Sequence, residues 1–94
     1  IDAGLSAPTT QIPVHDHWRL VGVLDMGWER YKVAAEYDGD RHRSDRRQYA
    51  RDQWRSRKLQ ELAWIVVRVI AEDKPQDVVR RVRDALVRRG CREI

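Results

Sequence analysis

The stretch WIVVRVI, residues 64–70, carries β-branched side chains on both faces of what reads as one strand. A strand that is apolar on both sides has to be covered on both sides. It therefore reads as a buried strand in the middle of a sheet, with helices packed against it. The flanking sequence supplies the helices. Ser44 reads as an N-cap, with Asp45 in the first turn suited to the helix dipole. Tyr49, Ala50, Trp54, Leu59, Leu62 and Ala63 then give an apolar stripe over about five turns. Beyond the strand, EDKPQ is a turn and helix start, with Asp73 as cap and Pro75 early in the helix. Val78, Val79, Val82, Ala85 and Leu86 face inward, and Gly90 stops the helix.

Upstream of Ser44 the period is two. APTTQIPVH begins extended, because Pro8 and Pro13 exclude helix and the Thr, Ile and Val residues favour strand. HDHW reads as a hairpin turn into WRLVGVLDMGW, whose Val21, Val23 and Asp25 share one face. YKVAAEYD is the third strand. Val33, Ala35 and Tyr37 share one face, Lys32, Ala34, Glu36 and Asp38 the other, and Gly39 ends it. The order β-β-β-α-β-α predicts an α/β (α+β) domain with a mixed four-stranded sheet flanked by helices. The 94 residues suit a single domain with one modest core. The chain opens on Ile1 rather than Met, so the expectation is a fragment or processed piece of a longer protein.

Charge is unevenly spread. Residues 1–40 hold three Arg/Lys against seven Asp/Glu, residues 41–60 eight against two, and residues 61–94 eight against six. An acidic segment followed at once by a strongly basic one suits cations bound at one place and a polyanion beside it. Simple nucleic-acid binding needs only the basic half. No apolar run approaches the roughly 18 residues of a membrane span. The single cysteine, Cys91, can form neither an internal disulfide nor a cysteine-based zinc site, which fits a reducing cytoplasm.

The acids of the strands are the candidates for chemistry. Glu36 and Asp38 project from one face at a strand end, and Asp25 lies near the end of the preceding strand. If those strands pair through MGWERY, three carboxylates converge. A divalent cation would remove their mutual repulsion, and hard oxygen ligands suit Mg²⁺ or Mn²⁺. Arg47, Arg51, Arg55 and Lys58, spaced by three and four, form a cationic stripe on the first helix. A solvated acidic edge and a solvated helix face are the bland readings of the same residues. Arg68, which interrupts the buried strand, is either structurally paired or aimed at the site. His15 and His17 share a strand face as an H-x-H pair, which can ligate zinc, but only two ligands are in view. Trp54, amid arginines, is suited to stacking on bases, whereas Trp18, Trp28 and Trp64 read as core or rim packing.

Taken in order, VLDMGW, VAAEYDGDRH and YARDQWRSRKLQELAWIVVRV form a pattern over about residues 4–90. It resembles the small endonuclease-like domain family of unknown function related to the very-short-patch-repair mismatch endonuclease. That family lies in the PD-(D/E)XK nuclease superfamily. Its members read as an aspartate strand, E-x-D-G-x-x-H, a basic helix with R-D-x-x-R, and a G-W-x-V-x-R-like strand. The resemblance implies a restriction-endonuclease-like fold and a metal-dependent DNA endonuclease. It implies that Asp25 is the first metal-binding aspartate and that Glu36 is the acid of the (D/E)XK motif. The carbonyl of Tyr37 would also face a metal, and His42 would shuttle a proton or contact phosphate. Asp38 stands where the superfamily usually has lysine, so the customary positive charge near the attacking water is missing. Arg51, Asp52 and Arg55 would lie near the metal, where Arg55 could supply that charge. Gln11 matches a glutamine of family members. The resemblance also implies a domain at the C-terminus of a longer bacterial protein, often behind a winged-helix or antitoxin-like segment. The rival expectations are a catalytically inactive nuclease-fold module that binds nucleic acid, and a protein-interaction module of toxin–antitoxin or phage-defence type.

Overall fold

The computed structural model describes residues 7–39 and 45–92. The period-two segments form β1 (Thr9–Asp16), β2 (Arg19–Trp28) and β3 (Val33–Tyr37), the helical stripe forms α1 (Arg46–Glu61), the β-branched run forms β4 (Ile65–Val69), and the last amphipathic segment forms α2 (Pro75–Arg88). The sheet order is β1-β2-β3-β4. The first three strands are antiparallel, and β4 runs parallel to β3 after the α1 crossover. β1 tolerates Pro13 because it is an edge strand. No helix among the described residues is long and apolar enough to cross a membrane.

One expectation is corrected here: β4 lies at the other edge of the sheet, not in its middle. Its two apolar faces are explained by the helices alone. Val66 packs in the cluster below α1, with Ile12, Val14, Val21, Leu24, Ala34, Leu59 and Trp64. Ile65, Val67 and Val69 pack in the cluster below α2, with Trp28, Val33, Ala35, Val82, Ala85 and Leu86. Burial on both faces requires two covering layers. It does not require two neighbouring strands.

The helix starts also differ in detail. Asp45 is the N-cap of α1, its Oδ1 accepting from the backbone N–H of Arg47 (3.0 Å) and of Gln48 (3.3 Å), while Ser44 lies outside the described residues. Lys74 holds the N-cap position of α2, with Pro75 first in the helix. Asp73 instead accepts from the Ile70 N–H (2.8 Å), closing the turn that leads into α2.

Both helices end in the same motif. In α1, Ala63 N–H donates to the Gln60 carbonyl (3.0 Å) and Trp64 N–H to that of Leu59 (2.9 Å). In α2, Gly90 N–H donates to Val87 (2.9 Å) and Cys91 N–H to Leu86 (3.0 Å). This Schellman pair needs one residue in the left-handed region. The second helix uses Gly90 at φ +87°, but the first uses Ala63 at φ +69°. An L side chain there costs about 1 kcal/mol or more, partly offset by the extra freedom glycine has when unfolded. Ala63→Gly is therefore expected to stabilise the domain by about 0.5–1 kcal/mol, read as a rise of several degrees in thermal midpoint. An unchanged or lower midpoint would show that no strain is held at this position.

The expected face of β2 is broken twice. The β1–β2 register shifts at Val14/His15, which leaves Val21 buried while Val23 is exposed. Further on, Leu24 packs in the α1-side cluster and Met26 against the α2-side cluster. A regular strand sends residues two apart to the same face. The turnover falls at Asp25, and its neighbour on β1 is Gln11, held at φ +54°. At the hairpin, Asp16 pairs with Arg19, so His17 (φ +58°) and Trp18 make a two-residue turn. His15 and His17 thus do not share a strand face.

Candidate active site

The β2–β3 ladder runs from Trp28↔Val33 to Met26↔Ala35, and Asp25 and Glu36 are the next residue on each strand. At this fork the Asp25 side chain replaces a ladder bond: its Oδ2 accepts from the Tyr37 N–H at 2.9 Å. Glu36 follows Ala34 with the period of two and so faces α1. It is the one buried charged residue among those described, at 8% exposure.

A buried carboxylate needs a partner, and α1 provides it. Arg55 Nη1 donates to Glu36 Oε1 (2.9 Å) and Nη2 to Oε2 (2.6 Å), a two-pronged pair, and Nη2 also reaches the Val23 carbonyl (3.3 Å). The hydrogen bonding to Glu36, against the opposing effect of burial, pushes the Arg55 pKa above its already high value. The stem of Arg55 passes over Gly22, where a Cβ would lie 2.5 Å from Nε. With the guanidinium fixed on Glu36 the stem cannot swing aside, so Gly22 provides the passage.

Asp25, Glu36, Tyr37 and Asp38 line one wall of an open cleft of about 480 Å³, and Gln48, Asp52 and Arg55 line the other. Arg68 is paired in register with Glu36 on β4, also lines the cleft, and donates to Ser56 Oγ at 2.8 Å. The Asp38 N–H continues the parallel ladder to the Val69 carbonyl (2.7 Å). Asp52 accepts from Gln48 Nε2 (2.9 Å) and pairs with no arginine among the described residues, while Arg51 donates to Gln48 Oε1 (3.0 Å). Three of the expected acids thus share one cleft. Among the described residues, however, no three His, Cys, Asp or Glu side chains close around a common point. His42 lies outside the described residues.

The cationic stripe of α1 is divided in use. Arg47 and Arg51 are exposed. Arg55 is committed to Glu36, and Lys58 reaches Asp16 (3.0 Å) and Glu61 (3.4 Å). The hydrogen bond from Lys58 holds Asp16 below the ordinary carboxylate range, and the same bond raises Lys58. Trp54 lies beneath the Arg19 guanidinium, 4.6 Å from the ring centre. Sequence reasoning missed Gly22, Gln48 and Ser56. Gln48 and Ser56 stand four residues before and after Asp52, a spacing that puts all three on one helix face.

No protein-family model matches the chain, and no solved structure matches it. Two uncharacterized proteins of Mycobacterium tuberculosis, from the CDC 1551 / Oshkosh and H37Rv strains, are each 34% identical to it over 94 residues. The alignment covers all of this chain but 33% of each relative, so the chain spans about a third of their length.

Proposed function

We propose that the cleft binds a divalent cation, Mg²⁺ or Mn²⁺, and hydrolyses phosphodiester bonds of DNA. The observation that carries this reading is the fork itself: Asp25 and Glu36 end the same ladder, each fixed by a hydrogen bond, beside Asp38 in a cleft rimmed by α1. The donor set fits such an ion. Carboxylate oxygens are hard ligands, and Mg²⁺ commonly takes one or two carboxylates and keeps several waters. Glu36 accepts two N–H bonds and retains about two of its roughly four lone-pair sites. Asp25, Glu36, Asp38 and the Tyr37 carbonyl would hold the ion. When bound, it lowers the pKa of a water and stabilises charge on the phosphoryl oxygens.

The chain's own residues do the rest. Tyr37 N–H and Arg55 fix the two carboxylates before any ligand arrives, so little ordering is left to be done on binding. Arg68, tied to a neutral hydroxyl, has donors to spare for a phosphate oxygen and supplies positive charge on the side where Asp38 replaces lysine. His42 remains part of the proposal as a proton carrier.

The test is nicking of supercoiled plasmid. Cleavage in Mn²⁺ or Mg²⁺ that stops when EDTA is added is the expected result. A specific observation favours a second reading. Both oxygens of Glu36 are already bonded to Arg55, and no three-acid group closes among the described residues. This suits an inactive nuclease-fold module that binds nucleic acid. Salt-sensitive DNA binding without cleavage would select it. Neither binding nor cleavage would leave the protein-partner module.

A further inference from the structure

We infer that the tip of the β1–β2 hairpin is a second nucleic-acid contact, where the Trp18 indole stacks on an unstacked base remote from the cleft. The inference rests on the nucleic-acid reading above and adds a surface that the reading does not use. Trp18 is 89% exposed, whereas Trp28 and Trp64 are buried at 6% and 9%. Packing therefore explains those two tryptophans and leaves Trp18 unexplained, contrary to the expectation of core or rim packing. Leu20 (51%) and Val23 (42%) are also exposed, but they pair with His15 and Pro13 on the sheet face turned away from the α1-side cluster. Seven residues separate Trp18 from Asp25, or about 23 Å of strand.

The charge around the tip and along α1 favours an anionic polymer over a protein. Asp16 is the one carboxylate between His15 and Arg19, and Lys58 already pairs it. Arg19 is exposed, with its guanidinium over Trp54. The first helix runs between the cleft, which Gln48 lines, and the hairpin, which Lys58 reaches, and it exposes Arg46, Arg47 and Arg51. A strand that offers phosphates to the arginines and a π-face to an open indole satisfies both features. Trp54 is the poorer stacking platform, since Arg19 covers its ring and it packs against the α1-side cluster.

The test titrates the full chain into a fluorescein-labelled oligothymidylate of about 16 nucleotides, in EDTA so that no cleavage intervenes. Tryptophan emission from the exposed indole should be quenched. Trp18→Ala should weaken binding about tenfold and Trp18→Phe much less, because a stacking surface remains. Neither should change the dependence on salt, whereas Arg47→Ala should lower the salt slope by about one. Trp18 is too exposed for its replacement to unfold the chain, and thermal melting checks this. Trp18→Ala binding as tightly as the wild type overturns the inference and leaves the tip to another partner. Tight, Trp18-dependent binding without metal-dependent nicking sustains it while removing the hydrolase reading alone.

Discussion

Under the proposed hydrolase function, Glu36→Gln is expected to lower metal-dependent nicking by on the order of 10³-fold while leaving the fold intact. Glutamine keeps the shape and one carbonyl oxygen able to accept from Arg55. It loses the charge that makes the carboxylate a hard ligand, and its amide N–H₂ turns a donor toward a guanidinium that has only donors. Arg55 need not be stranded, because Nη2 already reaches the Val23 carbonyl and the side chain is 24% exposed. The loss should therefore appear in turnover more than in melting temperature, measured on plasmid in Mn²⁺ beside circular dichroism. Arg55→Lys provides the second arm. A lysine cannot span both oxygens of Glu36, so activity should fall because the carboxylate is less firmly held, not because it is gone. Nicking by Glu36→Gln within tenfold of wild type would remove Glu36 from the chemistry.

The largest cost in stability is expected from Leu24→Ala, about 3 kcal/mol. Leu24 has no exposed surface, and it lies in the α1-side cluster between residues of two strands and one helix that cannot collapse onto a vacated site. A domain of this size has a total stability of about 5–14 kcal/mol, so the loss is a large share of it. It corresponds to a fall of about 12–24 °C in thermal midpoint. Leu86→Ala, in the cluster on the other side of the sheet, should cost a similar amount. Because the sheet separates the two clusters, the double variant should equal the sum of the singles within about 0.5 kcal/mol. Urea denaturation of the four proteins measures this. A Leu24→Ala loss below about 1 kcal/mol would mean that the cavity closes readily, and strong coupling would mean that the two layers are not independent.

Much of the candidate site was legible before the coordinates, but not its internal wiring. Asp25, Glu36 and Asp38 stand out in the sequence as acids at the ends of neighbouring strands, and they do line one cleft. Arg55 was expected near them. That it would grip both oxygens of Glu36 depends on α1 crossing above Gly22, which no residue spacing records. The four-residue cationic stripe was correct as helical geometry. It failed as a uniform surface, since Asp16 and Glu36 reach up from the sheet and take Lys58 and Arg55. Trp18 is exposed where core or rim packing was expected, for a similar reason: local composition does not say what lies opposite.

The element order and the two apolar faces of WIVVRVI follow from the chain alone, because backbone preference and periodicity act over a few residues and need no partner. The position of β4 at an edge, the turnover of β2 at Asp25 against a left-handed Gln11, and the pairing of Glu36 with Arg55 were decided only by tertiary structure. Each depends on contacts between segments roughly ten to fifty residues apart, whose energy arises when strands and helices pack and leaves no mark on the sequence between them.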